Sequence, residues 1–324
     1  MSELLDLADK YCTDKGTEKG SATGFALIYE HLFGNLKNES IKLLEIGLNN
    51  GGPEHGGDRF NRIIDNCPSI EMWHEYFQNG NIWGFDINSV DAGILDKLDR
   101  FTFFKGDQGS LESYQNLEKQ LVETYGDDHL FDFVIEDGSH AFYHQQMSFA
   151  HLSKFVKHGG FYIIEDIQWQ PNEDKGGGKA GGGTPFDVSK LPATVNTKKL
   201  FEYLYINPYS KNVKERFDLP NATFVTDDQL GGVSSAFEHI PGSKPNFYRT
   251  LEGSPQKAKI NWLVQKELQN HIELLNERRP EYASILLNEC RKYDRILLNK
   301  SVVSGRYASH VHYNSLIILR KKDY

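Results

Sequence analysis

Cysteine is scarce in this 324-residue chain. Cys12, Cys67 and Cys290 are an odd number at unrelated spacings, which fits neither a disulfide framework nor a zinc knuckle and reads as reduced thiols. No apolar run approaches the ~18 residues that a membrane helix needs. Positive charge is in deficit: 36 Lys and Arg against 45 Asp and Glu leave a formal charge of −9, which argues against a nucleic-acid binder resting on a broad basic surface. The first residues lack a basic stretch followed by an apolar one, so the expectation is a cytoplasmic protein without a secretory signal. No internal repeat is present.

What is there describes an aqueous globular protein, with 39% hydrophobic, 25% charged and 12% aromatic residues. The length suits two domains, or one α/β domain carrying an insertion. Leu4 to Tyr11 and Phe25 to Phe33 have amphipathic helical spacing around a polar loop that holds Thr13, Asp14 and Lys15. From Ile41 onward, short apolar runs end in Gly or acid: IKLLEIG (41–47), NIWGFDI (81–87), FTFFKGD (101–107), FDFVIED (131–137) and GFYIIED (160–166). These are buried-strand signatures. Helical spacing between them, as in Leu111 to Tyr125 and Ala141 to Val156, predicts a doubly wound, mainly parallel Rossmann-like α/β sheet. HVHYN (310–314) and SLIILRKK (315–322) follow each other too closely for a helical crossover and predict an antiparallel C-terminal edge pair.

Between Gln168 and Gly305 the regularity lapses. PNEDKGGGKAGGGTP (171–185) reads as a linker or lid, and Lys257 to Arg278 with Glu281 to Asn299 as two helices forming a cap over the sheet. Residues 1–170 and 306–324 would then form the core, and 171–305 a variable lid and helical cap for substrate binding or oligomerisation. The same periodicity suits a homo-oligomeric interface and intramolecular packing alike. Aromatics of this region, including Trp169, Phe186, Phe201, Tyr203, Tyr205, Tyr209 and Trp262, read mostly as core.

Ligands of open α/β sheets bind outside the carboxyl ends of the strands. Each strand here ends in acid: Glu45 before Gly47-Leu-Asn49-Asn-Gly51, then Asp86, Asp107, Asp137 and the pair Glu165-Asp166. A single such acid is an ordinary helix cap or turn former, but five in succession would repel one another unless ligands lie among them. The first strand end resembles a nucleotide-binding turn, yet Asn49 stands in place of a second glycine, and Asp86 comes far later than the ~20 residues of a dinucleotide fingerprint. That disfavours a nicotinamide cofactor. Asp86 still suits a ribose diol, which requires only a carboxylate at that place.

The runs LLEIGLNNGG, GFDI, KGDQ, IEDGSH, HQQMSF and GGFYIIEDI, with an early KYCTDKG, resemble class I S-adenosylmethionine-dependent methyltransferases, closest to metal-dependent sugar O-methyltransferases of the macrocin and mycinamicin type. The resemblance covers roughly residues 4–170 and the final strands. It implies cofactor contacts by Glu45, Gly47, Asn49, Gly51, Asp86, Ile87 and Asp137, with Asp107 and Gln108 at the adenine and Thr13, Asp14 and Lys15 closing over the cofactor. It also implies a divalent cation on Asp137, Glu165 and Asp166. Three carboxylates without a nearby cysteine suit a hard ion, Mg²⁺ first, better than zinc.

His140, three residues past Asp137, is the candidate general base, with His144 a turn further on as an assistant. Such a base needs help, because a sugar hydroxyl is far less acidic than imidazole. The expectation is therefore metal-assisted methyl transfer to a hydroxyl of a small-molecule or glycan-linked sugar. A dinucleotide-dependent nucleotide-sugar oxidoreductase and a non-catalytic cofactor-binding subunit are the alternatives.

Overall fold

The computed structural model describes residues 2–18, 23–48, 63–128, 130–167, 192–205, 269–298 and 316–323. Asn49, Gly51, the glycine-rich 171–185 tract, Trp169, Phe186, Tyr209, Trp262 and HVHYN (310–314) lie outside these residues.

All five predicted strands form, as β1 (Lys42–Ile46), β3 (Asn81–Asp86), β5 (Phe101–Lys105), β6 (Phe131–Glu136) and β7 (Val156–Ile164). Two-residue strands β2 (Ile63–Ile64) and β4 (Ser89–Val90) pair in a separate ribbon. With β8 (Tyr293–Leu298) and β9 (Ile317–Lys321), the main sheet has the order β5-β3-β1-β6-β7-β9-β8. The first five are parallel neighbours, and β9 runs antiparallel to both β7 and β8.

The antiparallel C-terminal edge is there, and one expectation needs correction: residues 293–298, read above as the end of a helix, form β8, which pairs with the outer side of β9. Tyr293 faces the core there and donates its hydroxyl proton to the Ser153 carbonyl at 2.6 Å, which a buried edge position rewards more than continued helix. The sheet core thus extends back into the region assigned to the lid.

Helices follow their local signals. Ser2 caps α1 (Glu3–Lys10) by accepting from the Leu5 N–H, and Ser110 caps α5 (Leu111–Tyr125) by accepting from the Ser113 N–H. Helix α2 (Phe25–Phe33) follows Gly24 in the left-handed region, α3 (Pro68–Tyr76) opens on proline, and Asp91 caps α4 (Ala92–Lys97). Helices α6 (Phe142–Leu152), α7 (Thr197–Tyr205) and α8 (Pro280–Cys290) complete the set, with residues 269–278 also helical. Among the described residues no helix is long and apolar enough to cross a membrane.

Strand alternation divides the core into two layers. Leu43, Ile82, Phe133, Ile135 and Ile163 face α1, α2 and α3, while Leu44, Trp83, Val134, Tyr162 and Ile164 face α5, α6, α7 and α8. Phe201 is fully buried in the second layer, as read from the sequence. The helices after residue 269 reach the same layer through Leu275, Tyr282 and Leu286.

The register then sets the site. Ile46 pairs with both Phe85 and Glu136, and Glu136 pairs with Ile164, so Gly47, Asp137 and Glu165 leave the sheet abreast. Strand order reverses between β1 and β6, which makes this edge the switch point where ligands of such sheets bind.

Candidate active site

Alternation continues past the strand ends and sorts the acids. Glu45, Asp137 and Glu165 share parity with the α1–α3 layer, where one ammonium meets all three: Lys15 Nζ lies 2.6 Å from Asp137 Oδ2 and 3.2 Å from both Glu45 Oε1 and Glu165 Oε1. Lys15 is carried there by the loop after α1. That loop is pinned by Asp9, which accepts from the Thr17 hydroxyl at 2.8 Å and the Glu18 N–H at 3.0 Å. Tyr29 of α2 donates its hydroxyl proton to Glu165 Oε1, and Trp73 of α3 donates to Glu45 Oε2 at 3.0 Å.

One ammonium is shared by three carboxyl groups, those of Glu45 and Glu165 buried and that of Asp137 half-buried. The titration directions follow. Burial pulls Lys15 down, but Asp137, Glu165 and Glu45 pull harder and hold it well above the usual lysine range. Burial pushes Glu45 up against the pull of Lys15. Burial also raises Asp137 against Lys15, and burial with the Asp137 charge drives Glu165 well up.

Asp166 turns away from this cluster, its backbone left-handed at φ 51°. With Asp137 and His140, itself at φ 59°, it forms a group whose ligand atoms all lie within 4.8 Å of one another. His140 Nε2 stands 3.9 Å from Asp166 Oδ2. Asp166 Oδ1 and His140 Nδ1 are buried and have no hydrogen-bond partner among the described residues. Burial, then the Asp137 charge, raises Asp166 well above the carboxylate range. Asp166 Oδ1, a buried acceptor without a partner among the described residues, is what a cation would satisfy, and the oxygen-rich donor set fits a hard divalent ion.

Of the predicted metal set, Asp137 and Asp166 come together beside His140, and Glu165, next in sequence to Asp166, lies against Lys15 and Tyr29 with Asp137 as a shared neighbour of Lys15. Of the predicted cofactor contacts, Lys15, 1% exposed, and Glu45, fully buried, pair with each other. Thr13 is buried and donates to Asp14 at 3.3 Å.

On the cofactor side, Gly47 has φ +83°, and a Cβ there would lie 2.2 Å from the Asp137 carbonyl oxygen, so only glycine lets the two turns pass. Asp86 accepts from the Leu48 N–H at 2.9 Å and the Asn88 N–H at 2.7 Å, one on each oxygen. Ile87 follows it, half-buried. Asp107 is exposed and accepts from the Gly109 N–H at 2.7 Å. Gln108 is buried instead, donating to Glu136 Oε1 at 2.7 Å. His144 Nδ1 lies 2.5 Å from Ser139 Oγ.

Sequence reasoning missed Tyr29, Trp73 and Glu136. Their signal was an acid inside an otherwise apolar strand, Glu45 in KLLEI and Glu136 in FDFVIE, since a carboxylate placed there requires buried partners.

No family model matches the chain. About half of it is similar in sequence to curated sugar O-methyltransferases. It is 33% identical over 168 residues to 8-demethyl-8-(2-methoxy-alpha-L-rhamnosyl)-tetracenomycin-C 3'-O-methyltransferase of Streptomyces olivaceus, a match covering 51% of this chain and 37% of that protein. It is 35% identical to mycinamicin VI 2''-O-methyltransferase of Micromonospora griseorubida, over 51% of this chain and 36% of the relative. The chain thus spans well under half the length of these curated relatives. Among solved structures it is similar to the MycE methyltransferase in complex with Mg, SAH and mycinamycin VI, at 29% identity and a TM-score of 0.43, over 63% of this chain and 46% of that one. The dinucleotide oxidoreductase alternative finds no support among these relatives.

Proposed function

We propose that this chain is an S-adenosylmethionine-dependent O-methyltransferase that acts, with a divalent cation, on a hydroxyl of a sugar or glycosylated molecule. The observation that carries the reading is the gathering of Asp137, His140 and Asp166, ligand atoms within 4.8 Å of one another, around the buried, unpartnered Asp166 Oδ1. The homology to sugar O-methyltransferases over half the chain supports the same chemistry.

Asp137 and Asp166 would hold the cation, Mg²⁺ first by the hardness of its oxygen donors. When bound, that ion supplies Lewis acidity that makes a sugar hydroxyl easier to deprotonate. Asp86 would accept from the ribose hydroxyls of the methyl donor, and Gly47 lets the cofactor-side turn approach closely. The donor supplies an electrophilic methyl group on sulfur.

His140 is the base. Its imidazole takes the hydroxyl proton, and Asp166, 3.9 Å from Nε2, steadies the imidazolium that results. Lys15 holds Asp137 and Glu165 in place, and Tyr29 keeps Glu165 from turning outward. Alignment of acceptor oxygen and methyl group lowers the remaining barrier.

Calorimetric titration of S-adenosylhomocysteine with Mg²⁺, and again after EDTA, tests the reading, with NAD⁺ as control. One-to-one binding of the homocysteine compound and none of NAD⁺ is expected. Absence of binding in both buffers would reject the methyltransferase assignment.

A further inference from the structure

The Gln108 side chain touches three elements at once. Its Nε2 donates to Glu136 Oε1 of β6 at 2.7 Å and to Ser148 Oγ of α6 at 3.1 Å. Its Oε1 accepts from the Ser139 N–H at 2.9 Å. The Gln108 carbonyl accepts from the Tyr114 hydroxyl of α5 at 2.7 Å, so the backbone beneath the carboxamide is fixed as well. The carboxamide lies flat on the turn: a Cβ at Gly138 would sit 2.2 Å from Gln108 Oε1.

That turn carries Asp137 and His140. Its first N–H, of Asp137, donates to the Ile46 carbonyl at 2.9 Å, and its last, of Ala141, to Ser139 Oγ at 3.4 Å. His140 between them occupies the left-handed region at φ 59°. A non-glycine residue persists there only where its surroundings over-determine it. The turn is held from outside by Lys15 on the Asp137 carboxylate and by His144 against Ser139 Oγ, and its Ser139 N–H is held by Gln108.

We propose that Gln108 is a positioning residue, in which the carboxamide braced by Glu136 locks the Asp137–Ala141 turn and thereby sets where Asp137 and His140 face. This rests on the roles given to those two residues above, and it replaces the adenine contact expected for Gln108. Glu136 is the partner that makes the brace directional: as an acceptor it forces the amide nitrogen toward β6 and leaves the amide oxygen for Ser139.

The test compares Gln108→Met, Gln108→Glu and the exchange Gln108→Glu with Glu136→Gln, in the full chain. The exchange puts the acceptor at 108 and the donor at 136, so both hydrogen bonds re-form. Three quantities are read: Mg²⁺ affinity and S-adenosylhomocysteine affinity by calorimetry, and the imidazole resonances of His140, assigned by their loss in His140→Gln.

Both single variants are expected to lose roughly tenfold or more in Mg²⁺ affinity and to shift the His140 resonances, with homocysteine-compound affinity unchanged. The exchange is expected to restore both. Loss of homocysteine-compound affinity with metal binding intact would make Gln108 an adenine contact and overturn the proposal. So would unchanged Mg²⁺ affinity and resonances, or an exchange that restores nothing. If Gln108→Met fails to fold, Gln108→Glu against the exchange decides. If the wild-type chain binds neither Mg²⁺ nor the homocysteine compound, the methyltransferase reading fails, and the His140 resonances alone then judge the brace.

Discussion

At the scale of single residues, the site is governed by which charges are left over. Lys15 is one ammonium shared by three carboxylates, and removing it strands all of them in a buried place. Lys15→Met is expected to cost about 3–5 kcal/mol of unfolding free energy, measured by urea titration. A loss under about 1 kcal/mol, the range of exposed pairs, would mean the cluster is solvated rather than buried. His140→Ala is expected to abolish methyl transfer while homocysteine-compound binding persists, the pairing of outcomes that the proposed base role requires. Turnover at the wild-type rate would remove His140 as the base.

Glu136 adds a pH signature. Burial, opposed by the Gln108 hydrogen bond, pushes its carboxyl up from 4.5 to about 7. The folded state therefore keeps a proton that the unfolded chain has released, so this contribution is full below pH ~4.5 and fades as pH rises through ~7. In metal-free protein the contribution amounts to about 3 kcal/mol between those limits. Glu136→Gln is expected to flatten that part of the stability-pH curve. An unchanged slope in denaturant titrations across this range would contradict it.

At the scale of elements, the strands were legible because buried runs of β-branched and aromatic residues need no partner to be recognised. Five of them and the helices α1, α2, α5 and α6 stand where periodicity put them. Residues 293–298 were not legible: a short apolar stretch after a helix has the same pattern whether it continues or turns into an edge strand, and only pairing with β9 decides. The site was half legible for a related reason. The acids could be found, but which face each took depended on strand parity and on Lys15, brought from a loop more than a hundred residues away. Glu165 and Asp166 are neighbours in sequence and belong to different clusters in space.

Helix α6 makes a second element-level case. Gln146 accepts from the Thr194 hydroxyl at 2.8 Å and the Tyr282 hydroxyl at 3.0 Å, and donates to the Val195 carbonyl at 2.7 Å and to Thr197 Oγ1 at 3.0 Å. Next to it, Gln145 donates to the Glu165 carbonyl at 3.3 Å. Gln146→Leu fits the space but leaves buried partners unsatisfied, so a loss of roughly 2–4 kcal/mol in denaturant titration is expected. A near-neutral result would mean that water reaches this network.

At the scale of the whole molecule, a cation that binds only the folded chain must raise its stability. Mg²⁺ at ~100 times its dissociation constant adds about 2.7 kcal/mol. The thermal midpoint is expected to rise by several degrees with Mg²⁺ and to fall back with EDTA, and Asp166→Asn is expected to lose the response. A midpoint indifferent to Mg²⁺ would exclude the site.

The position of β9 has a consequence for synthesis. Strand β7 ends at Ile164, yet the strand that covers its open side begins at Ile317, 153 residues later. At ~5–20 residues per second the ribosome needs roughly 8–30 s to deliver it. Throughout that interval the five parallel strands can already assemble, with Phe161 to Ile164 offering unpaired N–H and C=O groups to any passing chain. Expression yield should therefore be limited by crowding of nascent chains, and slowing initiation or supplying a chaperone that shields strand edges should recover more protein than stabilising the finished fold.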